Sequence, residues 1–117
     1  MADVLETMKS ALRTSGLTVY DSAEKIGECR APYVVCYDAG VEVTPKTKGM
    51  LGQQIYEVVC LVPYGDVEGL PALEKRVREI LRDIPGLHQT SSAGTGIEQT
   101  FQARAIALRY AIPIRLY

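Results

Sequence analysis

The chain has 117 residues, a length that suits one domain with a single core. Thirteen Lys and Arg against fourteen Asp and Glu leave a formal net charge of -1, so no global field draws the protein to nucleic acid or to an anionic membrane. No stretch reaches the roughly eighteen consecutive apolar residues of a membrane span, and the opening "MADVLETMKSAL" lacks the basic-then-apolar order of a signal peptide, so a soluble, cytoplasmic protein is expected.

Residues 3–14 place Val4, Leu5, Met8, Ala11 and Leu12 on one helical stripe, with Asp3 as N-cap and Glu6 three residues later. Gly16 supplies the stop. "LTVY", residues 17–20, reads as a short strand, and "DSAEKIGECRAP" after it as loop or edge. From Tyr33 the run "YVVCYDAGVEV" is rich in β-branched and aromatic residues, which suits a central strand covered on both faces. Gly40 marks a bulge or bend within it. The segment "PKTKGMLGQ", Pro45–Gln53, reads as the tip of a long hairpin, because "QIYEVVCLVPY", residues 54–64, is the next strand.

The pattern then changes period. Leu70, Leu73, Val77, Ile80, Leu81 and Ile84 recur at three- and four-residue steps, while Glu74, Lys75, Arg78, Glu79 and Arg82 fall on the other face. Pro71 fits the first turn of this helix and Pro85-Gly86 its end. Such a helix forms chiefly by packing on a sheet. Residues 87–93 suit a further strand and "AGTG", 93–96, a turn. In the final segment Ile106, Leu108, Tyr110, Ile112, Ile114 and Leu116 share one face; Ala103, Ala105, Ala107, Arg109 and Ala111 share the other. That alternation is a strand whose alanine row either lets another layer approach closely or fits under a helix, and Pro113 places its last residues at an edge. The expected architecture is one α+β domain over 1–117, in the order α-β-β-β-α-β-β, with an antiparallel or mixed sheet and two helices packed on it.

No constellation fits a known chemistry. A phosphate loop needs GxxxxGK[ST] between a strand and a helix, whereas Lys46 and Lys48 precede Gly49 and Gly52 and a strand follows. His88 lies three or four residues from Ser91 and Ser92 in one strand, a poor basis for a triad whose members converge from separate elements. Asp66 and Glu68 stand before a helix, where carboxylates cap free N–H groups. Cys29, Cys36 and Cys60 make no CxxC, and Cys36 and Cys60 read as buried thiols. With His88 the only histidine, no set has metal-ligand spacing. Catalytic residues, cofactors and metals are therefore all expected to be absent. The basic residues of "EKRVRE" are interleaved with acids, which marks a solvated helix face.

The helix ending in "SGLTVY", the strand "APYVVCYD" with its hairpin to "IYEVVCLVPYGD", the helix "LPALEKRVREIL" and the closing "GIEQTFQARAIALRY" together span nearly the whole chain. In this layout the chain resembles the tail terminator, or tail completion, family of long-tailed bacteriophages and prophages. The resemblance implies a structural virion component of the tail and neck, assembled in the host cytoplasm. Such a protein forms a homo-oligomeric ring, typically a hexamer, on the end of the tail tube, stops its elongation and offers the surface to which the head connector docks. Phage head-completion, connector and minor capsid proteins share this size and style and are the alternative. A small ligand-binding or enzymatic ferredoxin-like domain using His88 and residues 91–96 is a third reading.

A ring needs two different surfaces on each protomer. The candidates are Arg78 and Arg82 on the second helix, and Arg104 and Arg109 with the alanine row of the last strand. The hairpin loop, with Lys46, Lys48, Gly49 and Met50, is expected to be an arm that is mobile in the isolated subunit and ordered in the assembly. There its lysines would meet acids of the tail tube protein or DNA passing through the ring lumen.

Overall fold

The computed structural model describes residues 4–20, 31–43, 51–92, 96–98 and 103–115. Helix α1 (Val4–Thr14) buries Met8 and Leu12 completely and half-buries Val4 and Leu5, the stripe its spacing dictates. Its end is a Schellman turn. The Gly16 N–H bonds to the Arg13 carbonyl at 3.0 Å and the Leu17 N–H to the Leu12 carbonyl at 3.1 Å, with Gly16 at φ +92°, a conformation that suits glycine. An Arg76 guanidinium nitrogen donates to the Ser15 carbonyl, placing a cation at the negative end of the helix dipole.

The turn feeds β1 (Val19–Tyr20), which runs parallel to β2 (Tyr33–Val43) through only two register pairs, Val19 with Val34 and Tyr20 with Val35. β2 then pairs antiparallel with β3 (Leu51–Pro63), and β3 with β6 (Ala103–Arg115). Helix α2 (Gly69–Leu81) follows β3, and β4 (His88–Ser92) and β5 (Gly96–Glu98) both lie against the outer side of β6. The sheet order is β1-β2-β3-β6-β4, with β5 continuing the β4 edge along β6. This is the expected α+β architecture, a mixed sheet under two helices, with β5 as a short extra strand before the last one. β3 and β6 have 13 residues each, about 44 Å at roughly 3.4 Å per residue, and they set the 49 Å long axis of the molecule.

Both helices pack on the same face of this sheet. Val77 and Leu81 of α2 and Leu12 of α1 join Val34, Val58 and Leu108 in one fully buried cluster. The opposite face carries a second, smaller cluster of Tyr33, Val35, Leu61, Ala103 and Ala105. Among the described residues no helix therefore lies over the alanine row. Period-two alternation fixes which residues share a face, but either row could have faced the helices, and the larger Ile106, Leu108 and Tyr110 fill the space beneath α1 and α2.

Three boundaries differ from the sequence reading. β3 begins at Leu51 rather than Gln54, because Leu51, Gly52 and Gln53 pair with Arg115, Ile114 and Pro113 of β6. Helix α2 stops at Leu81, so Ile84 sits in the following turn, where its N–H reaches the Leu81 carbonyl at 3.2 Å. β2 is covered on both faces only from Tyr33 to Cys36, and the residues from Tyr37 to Glu42 are exposed. The bulge expected at Gly40 is present: the β2–β3 register shifts between Asp38 and Gly40, Gly40 has φ +101°, and the Asp38 carboxylate accepts its N–H at 2.7 Å. Pro113 lies where β6 has passed the end of β4, whose pairing stops at Ala111. The Asp3 cap, Cys29 and residues 93–95 of the turn expected at 93–96 lie outside the described residues, and Gly96, the last residue of that turn, opens β5.

Candidate functional site

The four candidate arginines occupy three separate places. Arg78 and Arg82 are one turn apart on the outer flank of α2. Arg78 is ion-paired with Glu74 at 2.7 Å, and Arg82 is the C-cap of the helix, its backbone N–H bonded to the Arg78 carbonyl. Arg76 and Glu79 of α2, with Arg82 and Asp83 just after its end, face Ser10 and Thr14 of α1 across an open groove of about 950 Å³. Charged Glu6, Arg76, Glu79, Arg82 and Asp83 line it together with apolar Ala11 and Ile80, and it lies open to solvent, unlike a cleft that buries most of a small ligand.

Beneath the Glu74–Arg78 pair lie Cys60 of β3 and Tyr110 of β6. Burial pushes the Cys60 thiol up to about 12, with Glu74 adding to the rise and Arg78 opposing it. Burial likewise raises the Tyr110 hydroxyl to about 12, against the pull of Arg78. Both groups therefore stay protonated at neutral pH, and the thiol is no nucleophile there.

Arg104, at the start of β6, reaches the turn after β3, where its guanidinium stacks on Tyr64. Arg109 is exposed on the face opposite the helices. There the register joins it to Glu57 of β3, and Glu57 to Tyr37 of β2. Burial raises the Tyr37 hydroxyl above its ordinary value, and the charge and hydrogen bond of Glu57 add to the rise. The structure thus brings together Arg78 and Arg82, and Arg109 with a Tyr-Glu row, but it separates these two groups by the thickness of the sheet.

The hairpin residues Lys46, Lys48, Gly49 and Met50 lie outside the described residues. Their stem is described: Val43 pairs with Gly52, so three of the nine residues in "PKTKGMLGQ" belong to a strand. His88 is exposed in β4 opposite Ala111, and Ser91 and Ser92 follow along the same strand. Asp66 accepts the Gly69 N–H at 3.1 Å, the capping role expected of it, and its carboxylate occupies the space a Cβ at residue 69 would take. Among the described residues no group of three or more His, Cys, Asp and Glu is placed to hold a metal ion, and no helix is long and apolar enough to cross a membrane.

No protein-family model and no curated protein sequence matches the chain.

What the sequence reading missed is the free edge of β2. Tyr37 and Val41 are 38% and 51% exposed, and they lie in a run of six consecutive exposed residues. β1 has ended by this level, so among the described residues this edge has no strand partner. Charged Asp38 and Glu42 enter the run just where the apolar stretch ends at Cys36, and that change of texture was the available signal. On the other side of the sheet, β4 and β5 present a second edge that has no partner beyond β6 among the described residues.

Proposed function

We propose that the protein is a structural virion subunit that closes into a ring on the end of a phage tail tube. There it halts tube elongation and offers the face on which the head connector docks. The observation that carries this reading is the asymmetry of the domain. Among the described residues the two helices cover one face only, and the two sheet edges without a partner differ: one is the acidic, half-apolar β2, the other the uncharged polar β4. A ring of identical subunits needs two unlike surfaces that meet head to tail, and a protomer with two unlike edges supplies them.

The element order supports the same reading, since α-β-β-β-α-β-β with a long β2–β3 hairpin is the layout on which the resemblance to tail terminators rests. In this role the hairpin tip, with Lys46 and Lys48, meets acidic groups of the tube or the DNA in the lumen. The Arg78 and Arg82 flank of α2 and the Arg109 row lie on opposite sides of the sheet, so each contacts a different neighbour.

Sedimentation of the purified protein with and without tail tubes tests the reading. Ring formation on tubes, in solution or only on that template, is the expected result. A strict monomer that leaves tubes unbound would overturn it. Oligomers that ignore tubes and bind capsid portals would assign the subunit to the head side of the joint.

A further inference from the structure

The two sheet edges that have no strand partner among the described residues lie at the same level and run in opposite directions. Across the sheet, Tyr37 pairs with Glu57, Glu57 with Arg109, and Arg109 with Ser91. One step along, Asp38, Tyr56, Tyr110 and Gln89 form the next row, and Gly40, Ile55, Ala111 and His88 the one after. The free part of β2 and the whole of β4 are thus opposite ends of the same rows. Because every pairing from β2 through β3 and β6 to β4 is antiparallel, β2 and β4 point in opposite directions.

Each edge also carries one extra residue. The β2 bulge falls between Asp38 and Gly40 and the β4 shift between Gln89 and Ser91, so both flank the Tyr56–Tyr110 row. A bulge bends and twists its strand locally, and here the two bulges lie one row apart on the two edges. Proteins protect exposed edges with lysine, proline, charges or bulges. The β4 sequence HQTSS has no lysine, proline or acid and only its bulge as a guard, and the β2 edge contributes the acids Asp38 and Glu42, which meet no acid on β4.

We propose that these edges join: β4 of one copy adds as an antiparallel strand to Tyr37–Val43 of the next, with Tyr37 beside Ser91. The occupant of the β2 edge is a second copy of this chain. The match of level is what a closing contact requires, since an axial offset at each step gives a helical filament instead of a ring. Main-chain hydrogen bonds supply the affinity in such strand addition, and alternate side chains supply the specificity. The inference rests on the ring reading only in placing copies head to tail.

Disulfide trapping tests it. Directly opposed residues of an antiparallel pair have Cβ atoms about 4.5 to 5.5 Å apart, close enough to bridge with a small adjustment. In a Cys29→Ser background, the double variant Tyr37→Cys/Ser91→Cys is expected to give a ladder of oxidised oligomers, on tubes if assembly needs them. Mixing the two single variants should give dimers only, and Glu42→Cys/Ser91→Cys, several residues out of level, should give far less product. Bridging of Tyr37→Cys to itself would overturn the head-to-tail arrangement. Absence of cross-links in a protein that is oligomeric by mass would overturn the edge pairing and leave the ring standing. Absence of both would remove both.

Discussion

The Arg104 guanidinium lies 5.0 Å from the centre of the Tyr64 ring, and its Nε–H donates to the Tyr64 carbonyl at 2.9 Å. This candidate interface arginine is therefore committed within its own subunit, where it fastens the turn between β3 and α2 to the start of β6. A cation over an aromatic face is worth about 0.5 to 1 kcal/mol at an exposed site, and a hydrogen bond from a charged donor adds to that. Arg104→Ala should lower unfolding free energy by about 1 to 2 kcal/mol in urea titration. Lysine lacks the planar fork, so Arg104→Lys should recover only part. An unchanged stability with impaired assembly would instead make Arg104 an interface residue.

Gly40 offers a test of backbone strain alone. Its φ is +101°, and a Cβ there would meet nothing within 4 Å. Gly40→Ala should cost about 1 to 2 kcal/mol, the usual penalty of an L-residue in the left-handed region, and Gly40→Asn should cost less. Equal stability of the alanine variant would show that the β2 bulge relaxes freely.

The Asp66 cap gives a third measurement. Its carboxylate receives the Gly69 N–H at the start of α2, and loss of such a cap costs about 1 kcal/mol. Asp66→Ala should show that loss at pH 7, while Asp66→Asn, which keeps an acceptor, should lose less.

Alkaline pH should destabilise the fold through Cys60 and Tyr110. Both pKa values stand near 12 in the folded protein, raised from ordinary values of 9.0 and 10.0 mainly by burial. The folded state holds these protons more tightly than the unfolded chain does. The stabilisation is therefore complete below pH 9.0 and is lost as pH rises from there through about 12. Melting temperature should fall over that window, and Cys60→Ala should make its onset later and its slope shallower. A melting temperature that holds steady up to pH 12 would contradict the burial of both groups.

Charge reversal in the hairpin separates fold from docking. Lys46→Glu/Lys48→Glu should leave stability within about 0.5 kcal/mol, as surface substitutions usually do, and should weaken binding to tail tubes. Loss of folding would place the loop in the core.

Much of this molecule was legible in its sequence. The 3.6-residue spacing of Leu70, Leu73, Val77 and Leu81 and the period-two alternation of Ile106, Leu108 and Tyr110 arise from the geometry that buries them, so these elements and their inward residues follow from pattern alone. Gly16 and Gly40 were legible because positive φ selects glycine. The start of β3 was not: Leu51-Gly52-Gln53 looks like turn sequence, and pairing to Glu42 and Val43 on one side and to Pro113 and Ile114 on the other holds it extended. Nor was the choice of sheet face, since alternation is symmetric until a helix packs on one side. Arg78 and Arg82 share a flank through four-residue spacing, whereas the bond from Arg104 to Tyr64 spans 40 residues and has no local signature. The free edge of β2 depends on where β1 ends, which is a property of the pairing.

Electron microscopy of the protein mixed with purified tail tubes tests the central claim most directly. The account predicts one ring, one subunit thick, seated on a single end of each tube, with tubes so capped growing no further when tube protein is added. Tubes that stay bare and continue to elongate in the presence of folded, saturating protein would contradict it.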